Sequence, residues 1–177
     1  MIKTGIACII IGIGCFVYAG TLYAQRTNPK RLEFNEYHIQ QPVISGKILP
    51  SRLVIPSANI DLPLVPSSIK DGEWETTDQG VSYLKGGTLP GDRGNSIMYG
   101  HNFENLLGPL IRVKTGDDLT VKFSNGEEKT FVVAGIMTVT PDQTHILNDT
   151  SDRRITLYTC TGFLDSKRLV IVAIFKK

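Results

Sequence analysis

Two hydrophobic patterns divide this chain. Residues 5–24, "GIACIIIGIGCFVYAGTLYA", form an uncharged run of 20 residues, and about 20 apolar residues span a bilayer core. From about Ile48 the apolar positions instead alternate in short bursts. "SRLVIPSANIDLPL" predicts two strands separated by a turn at 56–59, and "GVSYL" and "NSIMYGHN" predict two more. "DDLTVKFSNGEEKTFVVAGIMTV" carries alternating runs at 119–123 and 129–139 around Asn125-Gly126, the signature of a hairpin with a type I′ turn. "RRITLYTC" and "RLVIVAIF" supply the last two strands. "FENLLGPLIRV" at 103–113 is the one stretch that suits a short helix. Six to eight short strands punctuated by Gly- and Pro-rich connections predict an all-β barrel or sandwich.

Three segments follow from these patterns: an N-terminal anchor at 1–25, a juxtamembrane spacer at 26–47 and a β domain at 48–177. Lys3 precedes the apolar run and Arg26, Lys30 and Arg31 follow it, so charge gives no clean orientation. A cleaved signal peptide is the rival reading, but its apolar core is typically about 7–15 residues. A retained single-pass transmembrane helix is therefore expected, with the β domain extracytoplasmic. The spacer, broken by Pro29, Pro42 and Gly46, allows some helix near 31–38. Its His38 reads as a solvated side chain.

Charge narrows the function classes. The formal net charge is only +2, and no Lys/Arg stripe with interleaved aromatics appears, which argues against nucleic-acid binding. Cysteine usage is more informative. Of three cysteines, Cys8 and Cys15 lie in the apolar run and read as small apolar residues. Cys160 stands alone outside it, without a partner for an internal disulfide. A leftover thiol in that setting is a reactive group, a site of intermolecular pairing, or a buried and inert side chain.

A nucleophilic thiol needs a base or cation beside it. His101 emerges just past a predicted strand and a glycine. His145 lies in the long 140–154 loop. Position favours His101, because strand ends on a rigid β scaffold commonly carry catalytic groups. Arg168 begins the strand after Cys160, and a short antiparallel return would set the two side by side. Its planar fork of donors suits a substrate carbonyl or a thiolate; the alternative is an edge-strand cation that discourages aggregation.

These residues carry a family resemblance. "TLYTC" (156–160) resembles the TLxTC signature of sortases, the bacterial cysteine transpeptidases of the cell surface. "RLVIVA" (168–173) is similar to their final strand, and "LPGDRGNSIMYGH" (89–101) to their histidine-bearing segment. "RLVIPSANIDLPL" (52–64) and "TGDDLTV" (115–121) match in the same order along the chain. The resemblance implies a closed eight-stranded β-barrel with one or two short helices. It implies Cys160 as nucleophile, His101 as general acid/base and Arg168 as donor to the oxyanion or substrate carbonyl. Thr159 and, from the 140–152 loop, Ile146 and Leu147 would contact substrate; the latter two equally suit a core. The implied partners are an LPxTG-like sorting-signal peptide and an amine acceptor, such as a cell-wall precursor or a pilin lysine.

The resemblance implies no cofactor. Asp142, Asp149 and Asp152 form no EF-hand spacing, and no metal is assigned. Two rivals remain: a zinc protein using His101, His145 and Cys160, whose spacing matches no zinc pattern, and a membrane-tethered β-barrel binding module that has kept the fold without the activity.

Overall fold

The computed structural model describes residues 2–26, Asn28, Leu32, 48–70 and 73–176. Helix α1 (Ile2–Arg26) contains a 22-residue stretch, Gly5–Arg26, long and apolar enough to cross a membrane, and none of it is buried against the rest of the protein. The expected helix near 31–38 and His38 lie outside the described residues.

The strands are β1 (Pro50–Ile55), β2 (Ile60–Ser67), β3 (Ile69–Lys70), β4 (Glu73–Trp74), β5 (Val81–Leu84), β6 (Gly94–Gly100), β7 (Asp118–Phe123), β8 (Glu128–Val139), β9 (Arg153–Thr161) and β10 (Lys167–Phe175). Eight of them close a barrel in the order β1-β2-β5-β6-β9-β10-β8-β7, while β3 and β4 form a separate two-stranded ladder. The barrel is the fold expected from the resemblance. Two of its seams, β2–β5 and β6–β9, are parallel.

Period-2 alternation explains the interior. Leu53, Ile55, Val81, Tyr83, Met98, Leu119, Val121, Phe131, Ile155, Leu157 and Ile171 point inward and form the barrel core. β6 and the 155–160 part of β9 are buried at every position, so they are covered on both faces. The cover on the outer face is a second cluster. Ile97, Tyr99, Tyr158, Val139 and Val170 are overlaid by Trp74 from β4 and Leu147 from the 140–152 loop. Trp74 meets Tyr99 edge-on at 5.1 Å, and Tyr99 stacks on Tyr158 at 5.6 Å; the Tyr99 hydroxyl donates to the Glu75 carbonyl at 2.6 Å. Aromatic pairs with such geometry each add roughly 0.5–1.5 kcal/mol beyond burial.

One local expectation is corrected and another is met in tighter form. The Asn125-Gly126 hairpin is not a type I′ turn, which would place both residues at positive φ. Gly126 has φ +85° and Asn125 is not in that region. Gly126 N–H bonds the Phe123 carbonyl and Phe123 N–H bonds the Glu127 carbonyl, which makes a type I turn closed by a left-handed glycine bulge. Within 103–113 the helix is a single 3-10 turn, Gly108–Arg112, with Pro109 in its first turn. Further 3-10 turns occur at Pro56–Ala58 and Thr144–Leu147.

Candidate active site

Strand register brings the three sequence-predicted groups together. In the parallel β6–β9 ladder Tyr99 pairs Tyr158 and Gly100 pairs Thr159, so His101, one residue past β6, stands level with Cys160. In the antiparallel β9–β10 ladder Cys160 pairs Arg168. Side chains alternate faces along a strand. Tyr99, Tyr158 and Val170 lie on the outer face, so His101, Cys160 and Arg168, each two residues away from one of them, emerge on that face too. Adjacent strands lie about 4.8 Å apart. Imidazole, thiol and guanidinium thus stand in a row across β6, β9 and β10, at 8 %, 6 % and 3 % exposure.

Thr159 faces the other way. It is 2 % exposed, and its hydroxyl donates to the Gly100 carbonyl at 2.7 Å. It offers substrate no surface. Instead it pins β9 to β6 directly beneath Cys160 and His101.

The loop joining β9 to β10 is held from both sides. Arg168 Nη1 donates to the carbonyls of Asp165 and Lys167, each at 3.1 Å. The Asp165 carboxylate accepts from Asn102 Nδ2 at 2.9 Å, tying this loop to the residue after His101. Leu164 and Asp165 have φ of +50° and +59°, a conformation disfavoured by roughly 1 kcal/mol or more per non-glycine residue. The two bonds from Arg168 and the one from Asn102 hold that turn in place.

His101 stacks on Phe103 with centroids 5.1 Å apart and planes 12° from parallel. Burial lowers its pKa from the ordinary histidine value, while the carboxylates of Asp78 and Asp165 pull in the opposite direction. A hollow of about 410 Å³ opens beside the imidazole, lined by Tyr23, Thr76, Thr77, Asp78, His101 and Phe103. The guanidinium of Arg26, the last residue of α1, lies 5.4 Å from the centre of the Phe103 ring.

The 140–152 loop lies over the same outer face. Leu147 is 1 % exposed and belongs to the second cluster, while Ile146 is partly buried against it. Leu147 is therefore core, and of the two only Ile146 presents surface. His145 is exposed on this loop, and among the described residues no group of three or more His, Cys, Asp or Glu side chains is gathered as a metal site. Sequence reading missed what holds the loop. Asn95 Nδ2 donates to the carbonyls of Ile146 and Asn148, both at 3.1 Å, and the Asn95 N–H bonds Asp149 Oδ1. Arg93 Nε reaches the Ser151 carbonyl and Gly94 N–H the Asp152 carbonyl. Two polar residues, Asn95 and Ser96, opening a strand that continues apolar were the available signal.

Comparison with known proteins agrees with this architecture. The sortase domain family matches residues 53–175. Sortase A of Bacillus anthracis is 30 % identical over 125 residues, covering 69 % of this chain and 57 % of that protein. Sortase C1 of Streptococcus agalactiae is similar in structure with a TM-score of 0.63 at 27 % identity, covering 81 % of this chain and 80 % of that one. Sortase A of Listeria monocytogenes gives 0.59 at 25 %, covering 72 % and 86 %. The chain belongs to the sortase family. It spans 57 % of the length of the curated relative it matches.

Proposed function

We propose that this protein is a membrane-anchored cysteine transpeptidase with Cys160 as nucleophile, His101 as general acid/base and Arg168 as oxyanion donor. The observation that carries this reading is the row of His101, Cys160 and Arg168 on one face of three neighbouring strands. Residues 1–25 would be the anchor, 26–47 the spacer and 48–177 the catalytic domain, held outside the cytoplasmic membrane.

The thiol proton passes to His101, and the thiolate attacks the carbonyl carbon of a peptide bond in an LPxTG-like sorting signal. A C–S bond forms, and the charge on the carbonyl oxygen is met by the Arg168 guanidinium, fixed by its bonds to the Asp165 and Lys167 carbonyls. His101 returns the proton to the departing amine as the C–N bond breaks, leaving a thioester. A cell-envelope amine, from a cell-wall precursor or a pilin lysine, then attacks the thioester. Its proton goes through His101 to the sulfur, a new amide forms and the C–S bond breaks. The sequence of steps is ping-pong. Burial favours the neutral imidazole, the form that takes the thiol proton. Ile146, partly exposed on the 140–152 loop, would contact the apolar part of the sorting signal.

The test is mass spectrometry of the full chain in detergent micelles with a panel of sorting-signal peptides. A thioester adduct on Cys160 is expected, absent in Cys160→Ala. If no peptide gives an adduct, the inactive binding-module reading replaces this one.

A further inference from the structure

We propose that the hollow between the end of α1 and His101 is the subsite for the incoming primary amine, with Asp78 as its cation-binding residue. This inference rests on the transpeptidase reading and names the residues that select its second substrate.

The barrel order supplies the first argument. β6 lies between β5 and β9. Cys160 is on the β9 side of His101, whereas Thr76, Thr77 and Asp78 belong to the segment leading into β5. Those three residues line the hollow with His101, Tyr23 and Phe103. The imidazole therefore stands between the thiol and the hollow. A group that must pass a proton to His101 and then reach a thioester on Cys160 has its place there. A peptide bound over Ile146 approaches from the 140–152 loop between β8 and β9 instead.

The chemistry of the lining supplies the second. Asp78 is exposed, and its charge is felt by His101. A carboxylate facing a hollow with the Tyr23 ring in its wall suits an alkylammonium ion, which is drawn both to the anion and to a ring face; the Phe103 ring is already stacked on His101 and met by the Arg26 guanidinium. The ammonium first loses one proton to solvent. The free amine attacks the thioester carbon, its second proton moves through His101 to the departing sulfur, and the amide forms as the C–S bond breaks.

Position supplies the third. Tyr23 and Arg26 belong to the last turn of the membrane-spanning helix, and Arg26 lies over Phe103. Aromatic and basic side chains at the end of such a helix sit at the lipid–water boundary. The hollow thus opens at the level where the anchor leaves the bilayer, and the anchor itself contributes a wall.

The test uses the full chain in micelles and follows partition of one acyl-enzyme. A sorting-signal thioester is formed on Cys160, and its aminolysis by Nα-acetyl-lysine amide is compared with its hydrolysis. Both routes use His101 as base, so their ratio cancels changes in the imidazole. Asp78→Asn is expected to lower the aminolysis-to-hydrolysis ratio roughly fivefold, as loss of a partly exposed charge pair of about 1 kcal/mol implies. Asp78→Lys should lower it further. Tyr23→Ala should act in the same direction. With hydroxylamine, which is uncharged at neutral pH, the Asp78 variants should leave the ratio unchanged. An unaltered ratio with the lysine amine, or an equal fall with hydroxylamine, overturns the subsite. Failure to form any acyl-enzyme in the wild-type chain instead removes the transpeptidase reading beneath it.

Discussion

Asn95 gives the sharpest test of how the barrel holds the 140–152 loop. Its carboxamide is 5 % exposed, and both N–H donors are used, one on the Ile146 carbonyl and one on the Asn148 carbonyl. At about 1 kcal/mol net per bond, Asn95→Ala should destabilise the barrel by about 2 kcal/mol. That lowers the urea midpoint by about 1 M for a domain of this size. Asn95→Asp keeps the shape but turns two donors into acceptors. The new carboxylate would face two carbonyls, with the Asp149 carboxylate already bonded to the residue's own N–H. At pH 7 the penalty should rise to about 3–5 kcal/mol, the range for an uncompensated buried charge. The folded-state pKa of such a group is raised above its unfolded value. The excess penalty is therefore present above that raised pKa and fades as pH falls towards about 4. Below it the protonated acid restores one donor, and the variant should match Asn95→Ala or exceed it slightly. The assay is urea unfolding at several pH values, with peptide KM measured in parallel, since a loosened loop would weaken the proposed Ile146 contact. If Asn95→Asp is as stable as wild type at pH 7, or its deficit does not shrink on acidification, Asn95 does not hold the loop by donation.

Arg168→Lys should lower kcat by about 10²–10³, because a point charge lacks the fixed planar fork that steadies an oxyanion; near-normal kcat in steady-state peptide cleavage would remove Arg168 from that role. Thr159→Val should reduce stability by about 1–2 kcal/mol through the orphaned Gly100 carbonyl and lower kcat more than it changes KM, whereas Thr159→Ser should recover both; equal behaviour of the two variants in thermal melts and kinetics would count against the pin. Asp78→Asn should lower the His101 pKa further, because the carboxylate favours the imidazolium; an NMR titration of the imidazole C–H signal that moved upward or stayed put would contradict this.

The strands were legible in the sequence because alternation is local. "ITLYTC" and "RLVIVA" read as strands, and their antiparallel return placed Arg168 beside Cys160 as observed. Parallel pairing is not local. Nothing in residues 94–100 says that their neighbour is β9, 59 positions away at the Gly100–Thr159 pair, so the row of three groups rested on resemblance until register supplied it. Alternation in β6 and β9 did not reveal that both faces are covered, or by what. Trp74 and Leu147 cover them from short segments without useful periodicity. That is why Leu147 suited substrate contact and core equally well in the sequence. The Asn125-Gly126 pair marked the hairpin correctly, but the dipeptide alone does not choose between a mirror-image turn and a glycine bulge.

The β6–β9 seam has a consequence for how this chain tolerates change. Because side chains flip with every residue, one extra amino acid inserted into β9 ahead of Thr159 would exchange the faces of Thr159 and Cys160, turning the thiol into the barrel and the hydroxyl out to the rim. The same insertion in the 162–166 connection would lengthen a loop and leave the register of β9 with β6 intact. Reactivity here is written in odd and even positions along a ladder. An odd number of residues inserted between Arg153 and Cys160 exchanges those faces, whereas a connection outside the ladders carries no such parity.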